Sequence, residues 1–96
     1  MGYVVTAKWT AKEGEEETVL ASIRQLVGPS RAEPGCSFYQ PARDPEDPRV
    51  FFLYEIYRDE AAFTEHNESD HFKRFVLGEA LPRLESRERI HYERLE

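Results

Sequence analysis

A single cysteine, Cys36, is all the thiol chemistry available to this chain. It excludes an internal disulfide, and no CxxC or Cys/His zinc pattern can be built around it. Long apolar runs are missing as well. Nothing approaches the roughly 18 residues of a membrane span, and the opening segment MGYVVTAKWTAKEG has none of the basic, apolar and small-residue zones of an export signal. A cytoplasmic setting with no membrane partner is the expectation. Positive charge is in deficit: 13 Lys and Arg face 19 Asp and Glu, for a net charge of -6 at pH 7. Arg83, Arg87, Arg89 and Arg94 are interleaved with Glu85, Glu88, Glu93 and Glu96, so a nucleic-acid backbone would be repelled. There is also no phosphate-cradling glycine loop and no dinucleotide fingerprint, and no cofactor is expected.

What is present fits one small domain spanning residues 1–96. A chain of this size leaves much of its surface exposed and often gains from a partner. YVVTAKW at 3–9 reads as a strand with Tyr3, Val5, Ala7 and Trp9 on one face. Glu13, Glu15, Glu16 and Glu17 then suit the first turn of a helix, whose stripe is Val19, Leu20, Ile23, Leu26 and Val27. Gly28 and Pro29 are expected to end or kink it. CSFYQPAR at 36–43 is a second strand, which Pro41 confines to an edge or a bulge. The order repeats: strand 50–57, a short helix capped by Asp59, another capped by Ser69 with Pro82 bending or ending it, and an alternating closing strand in ERIHYERLE.

Strand, helix, strand, twice over, predicts an α+β fold of the ferredoxin-like, split βαβ kind: a four-stranded antiparallel sheet with its helices on one face. The third strand has two apolar sides, Val50, Phe52, Tyr54 and Ile56 opposing Phe51, Leu53 and Tyr57 beside Glu55. A face open to water should be polar. A second copy covering it, in a symmetric homodimer, is the expected solution.

EPGCSFY at 33–39, DPEDPRVFFLYEIYRDEAAF at 44–63 and the spaced histidines of EHNESDHFKRF together resemble the antibiotic biosynthesis monooxygenase (ABM) domain of the dimeric α+β barrel superfamily, over about residues 3 to 80. The resemblance implies a dimer and a small-molecule site. Similar proteins include oxygenases of quinols or polyketide anthrones that use neither metal nor flavin, haem-degrading enzymes, and an isomerase-like enzyme for a phosphorylated sugar derivative.

Oxygenation without a cofactor needs a substrate that supplies its own electrons, a base, a dry aromatic pocket and donors for an oxyanion. His66, three residues after Phe63 and four after Ala62 on an inward helical face, is either the catalytic base or a core histidine bonded to a backbone carbonyl. His71, in the first turn after Ser69, is either a donor to a substrate oxygen or a rim residue. The two are five residues apart with Ser69 between them, so the one-turn pairing of helical zinc ligands is absent and no metal site is expected. Glu55 is either a base in contact with substrate or half of a salt bridge to an arginine, the usual solution for a buried charge. Asn67 is a weak candidate for oxyanion stabilisation, since adjacent helical residues point about 100° apart. Trp9, Tyr39, Tyr54, Phe63, Phe72 and Phe75 line a pocket between sheet and helices or are simply core. Cys36 reads as a structural thiol.

The leading expectation is a cofactor-independent monooxygenase of a small aromatic, quinol-like or polyketide substrate with dioxygen. A non-oxidative isomerase or degradation enzyme for a small carbonyl compound, and a non-catalytic dimeric binding module, are the alternatives. Haem degradation fits less well, because Trp9 lies far from the helical histidines in sequence.

Overall fold

The computed structural model describes residues 2–96. Four strands, β1 (Tyr3–Ala11), β2 (Cys36–Arg43), β3 (Val50–Tyr57) and β4 (Leu84–Glu93), form one sheet in the order β2-β3-β1-β4. Every neighbouring pair is antiparallel. This is the split βαβ arrangement, with β2 and its Pro41 at one edge, where a missing N–H costs no ladder bond. Gly14 alone among the described glycines takes a positive φ, 85°, and turns the chain from β1 into α1 (Glu16–Arg31).

Pro29 does not end α1. The helix runs through it to Arg31, and the Ala32 N–H closes the end on the Gly28 carbonyl. Proline in the last turn forfeits a single intrahelical bond, a loss that packing of Val19, Ile23 and Leu26 against the sheet outweighs.

After β3, the Asp59 carboxylate accepts from the Ala62 N–H at 2.8 Å and starts α2 (Glu60–Glu68). Ser69 turns extended and ends that helix; its Oγ also accepts from the Phe72 N–H at 3.2 Å. The next segment, Phe72–Ala80, is wound as a π-helix, with the Leu81 N–H reaching back to the Val76 carbonyl. Such winding is rare beyond a single turn. A 3₁₀ turn at Leu81–Arg83 carries Pro82 and delivers the chain to β4, which starts four residues before the segment that alternation marked out.

All three helical segments cover one side of the sheet. Ala7, Trp9, Tyr39, Phe51 and Leu53 pack there against Val19, Ile23 and Leu26 of α1 and Phe72, Phe75 and Val76 of the π-helix. The opposite side carries Phe38, Phe52, Tyr54, Ile90 and Tyr92, each between 38% and 49% exposed. An apolar face of that extent is unusual on a soluble monomer. No helix among the described residues is long and apolar enough to cross a membrane.

Leu53 is fully buried at the centre of the main core. Leu53→Ala should therefore cost roughly 2–5 kcal/mol of unfolding free energy, read as a lower denaturation midpoint with little change in slope.

Candidate functional site

Three segments converge on one carboxylate oxygen. Glu33 lies in the turn between α1 and β2, held by Glu33 N–H to Ser30 O (3.2 Å) and Cys36 N–H to Glu33 O (3.0 Å). The same turn is clamped against α2: Arg58 N–H donates to Gly35 O at 2.8 Å, and a Cβ on Gly35 would overlap the Ala62 methyl. Only glycine allows that approach.

His66 faces inward from α2 and is 1% exposed. Its Nδ1 lies 2.7 Å from Glu33 Oε2, and Nε2 of His71, from the start of the π-helix, lies 2.5 Å from the same oxygen. Spacing excluded the one-turn pairing of these histidines along a single helix. The break at Ser69 brings them together instead, because the chain turns there and sets His71 back beside His66, ring centroids 5.9 Å apart. Tyr39, Tyr57 and Phe72 surround the His66 ring at centroid distances of 5.2–5.7 Å, with Phe63 stacked at 6.4 Å. Glu33 and His71 retain 15% and 17% side-chain exposure, so the cluster has one dry side and one wet side.

Burial pushes the Glu33 carboxyl up, but the hydrogen bonds and charges of His66 and His71 outweigh it and hold it below the ordinary carboxylate range. A carboxylate bonded to Nδ1 sets the imidazole tautomer and leaves Nε2 as the nitrogen free to take a proton.

Glu55 is a second buried carboxyl on the helix-facing side of the sheet, 5% exposed. Among the described residues no arginine pairs with it; the expected salt bridge is replaced by a 2.6 Å hydrogen bond from the Tyr57 hydroxyl. Nor does it lie near the open face, because the β3 pleat points it toward the helices. Burial raises its pKa, and the Tyr57 bond offsets that only in part. The same burial, reinforced by Glu55, pushes Tyr57 far above the ordinary phenol range.

The remaining candidates separate. Tyr39, Phe63 and Phe72 line the His66 cluster. Tyr54 does not: it lies on the open face, edge-on to Phe38 at 5.8 Å. Trp9 and Phe75 pack in the core with α1, and Trp9 Nε1 is buried without a partner. Asn67 accepts a 2.6 Å bond from Arg89, whose guanidinium also lies over the Phe63 and Phe72 rings at 4.8 and 5.7 Å. Burial pushes the Cys36 thiol up to about 11, as befits a structural thiol.

Glu33 was the residue missed. It opens the EPGCSFY segment that carries part of the resemblance, but nothing in spacing connects it to histidines more than thirty positions on.

A hollow of about 330 Å³ is lined by Tyr3, Asp59, His91 and Tyr92 among others. The Phe63 ring lies edge-on to His91, at a centroid distance of 5.3 Å, and stacked with His66 at 6.4 Å.

The antibiotic biosynthesis monooxygenase family model matches residues 2–77. Among proteins of known sequence, the uncharacterized protein sll1783 of Synechocystis is 32% identical over 73 residues, 76% of this chain and 50% of its own. This chain thus spans about half the length of that relative. YcnE of Bacillus subtilis, provisionally named a monooxygenase, is 36% identical over 76% of this chain and 77% of its own. The crystal structure of PA3566 from Pseudomonas aeruginosa superposes with a TM-score of 0.88 at 33% identity, covering 99% of this chain and 95% of that one.

A buried carboxyl bonded to a phenol and without a counter-charge ties stability to pH. With its folded pKa raised, Glu55 contributes stability below the ordinary carboxylate range that is lost as pH rises toward its folded value. Glu55→Gln keeps an acceptor for Tyr57 and removes the titration. Its melting temperature should match the parent near pH 4 and exceed it increasingly toward pH 8.

Proposed function

The chain belongs to the antibiotic biosynthesis monooxygenase family, and on that premise we propose that it is a cofactor-independent monooxygenase of a small aromatic, quinol-like or polyketide substrate. The observation that supports this most is the Glu33–His66 pair set against an aromatic wall. Glu33 orients the imidazole, and His66 Nε2 takes the proton from a phenol or from the CH of an anthrone. The resulting enolate passes an electron to dioxygen. Recombination forms a carbon–oxygen bond, and breaking the O–O bond with loss of one water leaves a carbonyl; CH₂ and O₂ become C=O and H₂O, all electrons coming from substrate. His71, bonded to the same carboxylate, is placed to hydrogen-bond a substrate oxygen.

His66 is closed off in this conformation. The Phe63 ring neighbours both His66 and His91, which lines the hollow, so displacement of Phe63 is the route by which a planar substrate would reach the wall of Tyr39, Tyr57 and Phe72. Burying the open sheet face against a second copy completes the reading as a homodimer, for which the exposed row of Phe38, Phe52, Tyr54, Ile90 and Tyr92 is the support. A single thiol held protonated suits the reducing cytoplasm.

Oxygen uptake by metal-free protein on mixing with hydroquinones or anthrones tests the chemistry. His66→Ala should lower kcat by about 100-fold or more with the circular-dichroism spectrum retained, and Glu33→Gln should lower it by a smaller factor. Unchanged turnover in His66→Ala removes this residue from the mechanism, whereas turnover that persists anaerobically assigns the same histidines to enolisation in an isomerase. Sedimentation equilibrium at micromolar concentration should show twice the 11.3 kDa chain mass; a monomer alone would overturn the dimer.

A further inference from the structure

The contacts around Glu33 admit more than hydrogen bonding. One ligand atom each from His66, His71 and Glu33 lie within 4.8 Å of one another, with His66 Nδ1 and His71 Nε2 both against Glu33 Oε2, and the three residues come from separate segments of chain. We propose that these three residues form a binding site for one divalent first-row transition ion of the zinc, cobalt, nickel or ferrous type.

Ligand chemistry selects that class. Two imidazoles and one carboxylate suit these ions, while magnesium and calcium prefer oxygen alone. Ion–ligand bonds of about 2.0–2.2 Å set ligand atoms about 3.0–3.4 Å apart, so the N···O separations of 2.7 and 2.5 Å must widen and the two histidine nitrogens must settle at the same spacing, an adjustment that side-chain rotation supplies. Burial has the right asymmetry. His66 closes the inner side, while the partial exposure of Glu33 and His71 gives an ion entry and leaves its remaining positions to water. The scaffold is also fixed, by Ser69 between the histidines and by Gly35 packed against Ala62 under the Glu33 turn.

Binding exchanges two N–H···O hydrogen bonds for two nitrogen–metal bonds. A neutral imidazole moves its proton to the other ring nitrogen with no net release, and a charged one releases one proton. The ion takes Nδ1, the atom through which Glu33 orients His66. Ion binding and proton transfer by His66 therefore oppose each other, and the site can exist whether or not the oxygenase reading holds.

Cobalt(II) added to the substrate-free protein is the test. One equivalent per chain should produce visible d–d bands, with affinity lowered about 100-fold or more in Glu33→Gln and in His71→Ala. His91→Ala should bind as the parent does, since His91 lies across Phe63 and bonds Tyr3 at 2.8 Å. X-ray absorption of the cobalt-loaded parent, which depends on no variant folding, should show two imidazoles in the coordination shell. Absence of the bands, a shell of oxygen alone, affinity unchanged in both triad variants, or loss of binding in His91→Ala would overturn the site. Failure here with oxygen uptake intact leaves the proposed activity standing; cobalt binding without uptake does the reverse.

Discussion

One carboxylate oxygen holds the functional half of this molecule together. Glu33 Oε2 receives His66 from α2 and His71 from the π-helix, and it does so from a turn belonging to the other βα half of the chain. Without that acceptor, His66 would be a buried imidazole with an unpaired N–H, at a cost comparable to the whole net worth of a hydrogen bond. Two donors on one ionised oxygen also make these bonds charge-assisted. The aromatic wall around His66 raises the stakes, since it supplies no alternative polar partner.

The fold was written locally and could be read locally. The period-two patterning of Tyr3–Trp9, the apolar stripe from Val19 to Val27, and the caps at Asp59 and Ser69 each state a secondary structure within a short window, and the order of elements leaves few topologies. Pro29 escaped because packing outweighs a single lost bond, and the π-winding of Phe72–Ala80 because no local residue pattern marks it. Half of the site was legible in the same way: His66 and Phe63 share a helical face by spacing alone. Glu33 was not, because its meaning depends on where α1 ends relative to α2, a tertiary relation. Glu55 failed for a subtler reason. Charge pairing is the common answer to burial, but the β3 pleat places it two residues from a tyrosine on the same face, and a phenol satisfies a carboxyl without a counter-charge.

The two sides of the sheet divide the physical tasks. Toward the helices, polar groups are few: Glu55 is bonded by Tyr57 and His66 by Glu33, while Trp9 Nε1, Ser30 Oγ and Arg87 Nε are buried without partners. Toward the open side, large apolar groups remain half exposed. The inner face thus concentrates electrostatic specificity in a small dry volume, while the outer one holds area that burial would convert to stability at roughly 25 cal/mol per Å² of apolar surface removed from water. A chain of 96 residues with this division has reason to separate chemistry from association.

The π-helix has a bearing on how such a chain tolerates changes in length. A segment whose N–H groups reach back five residues packs more residues into each turn than the 3.6 of an α-helix. Between Phe72, anchored beside His66, and Leu84, where β4 begins, the chain therefore carries slack. Loss of a residue there can be taken up by rewinding toward α geometry while both ends stay in place, whereas the same deletion in α1 would rotate a packed face out of the core. Indels in related sequences should accordingly gather in this segment, and alignments that force it into a gapless register will misplace Phe75 and Val76.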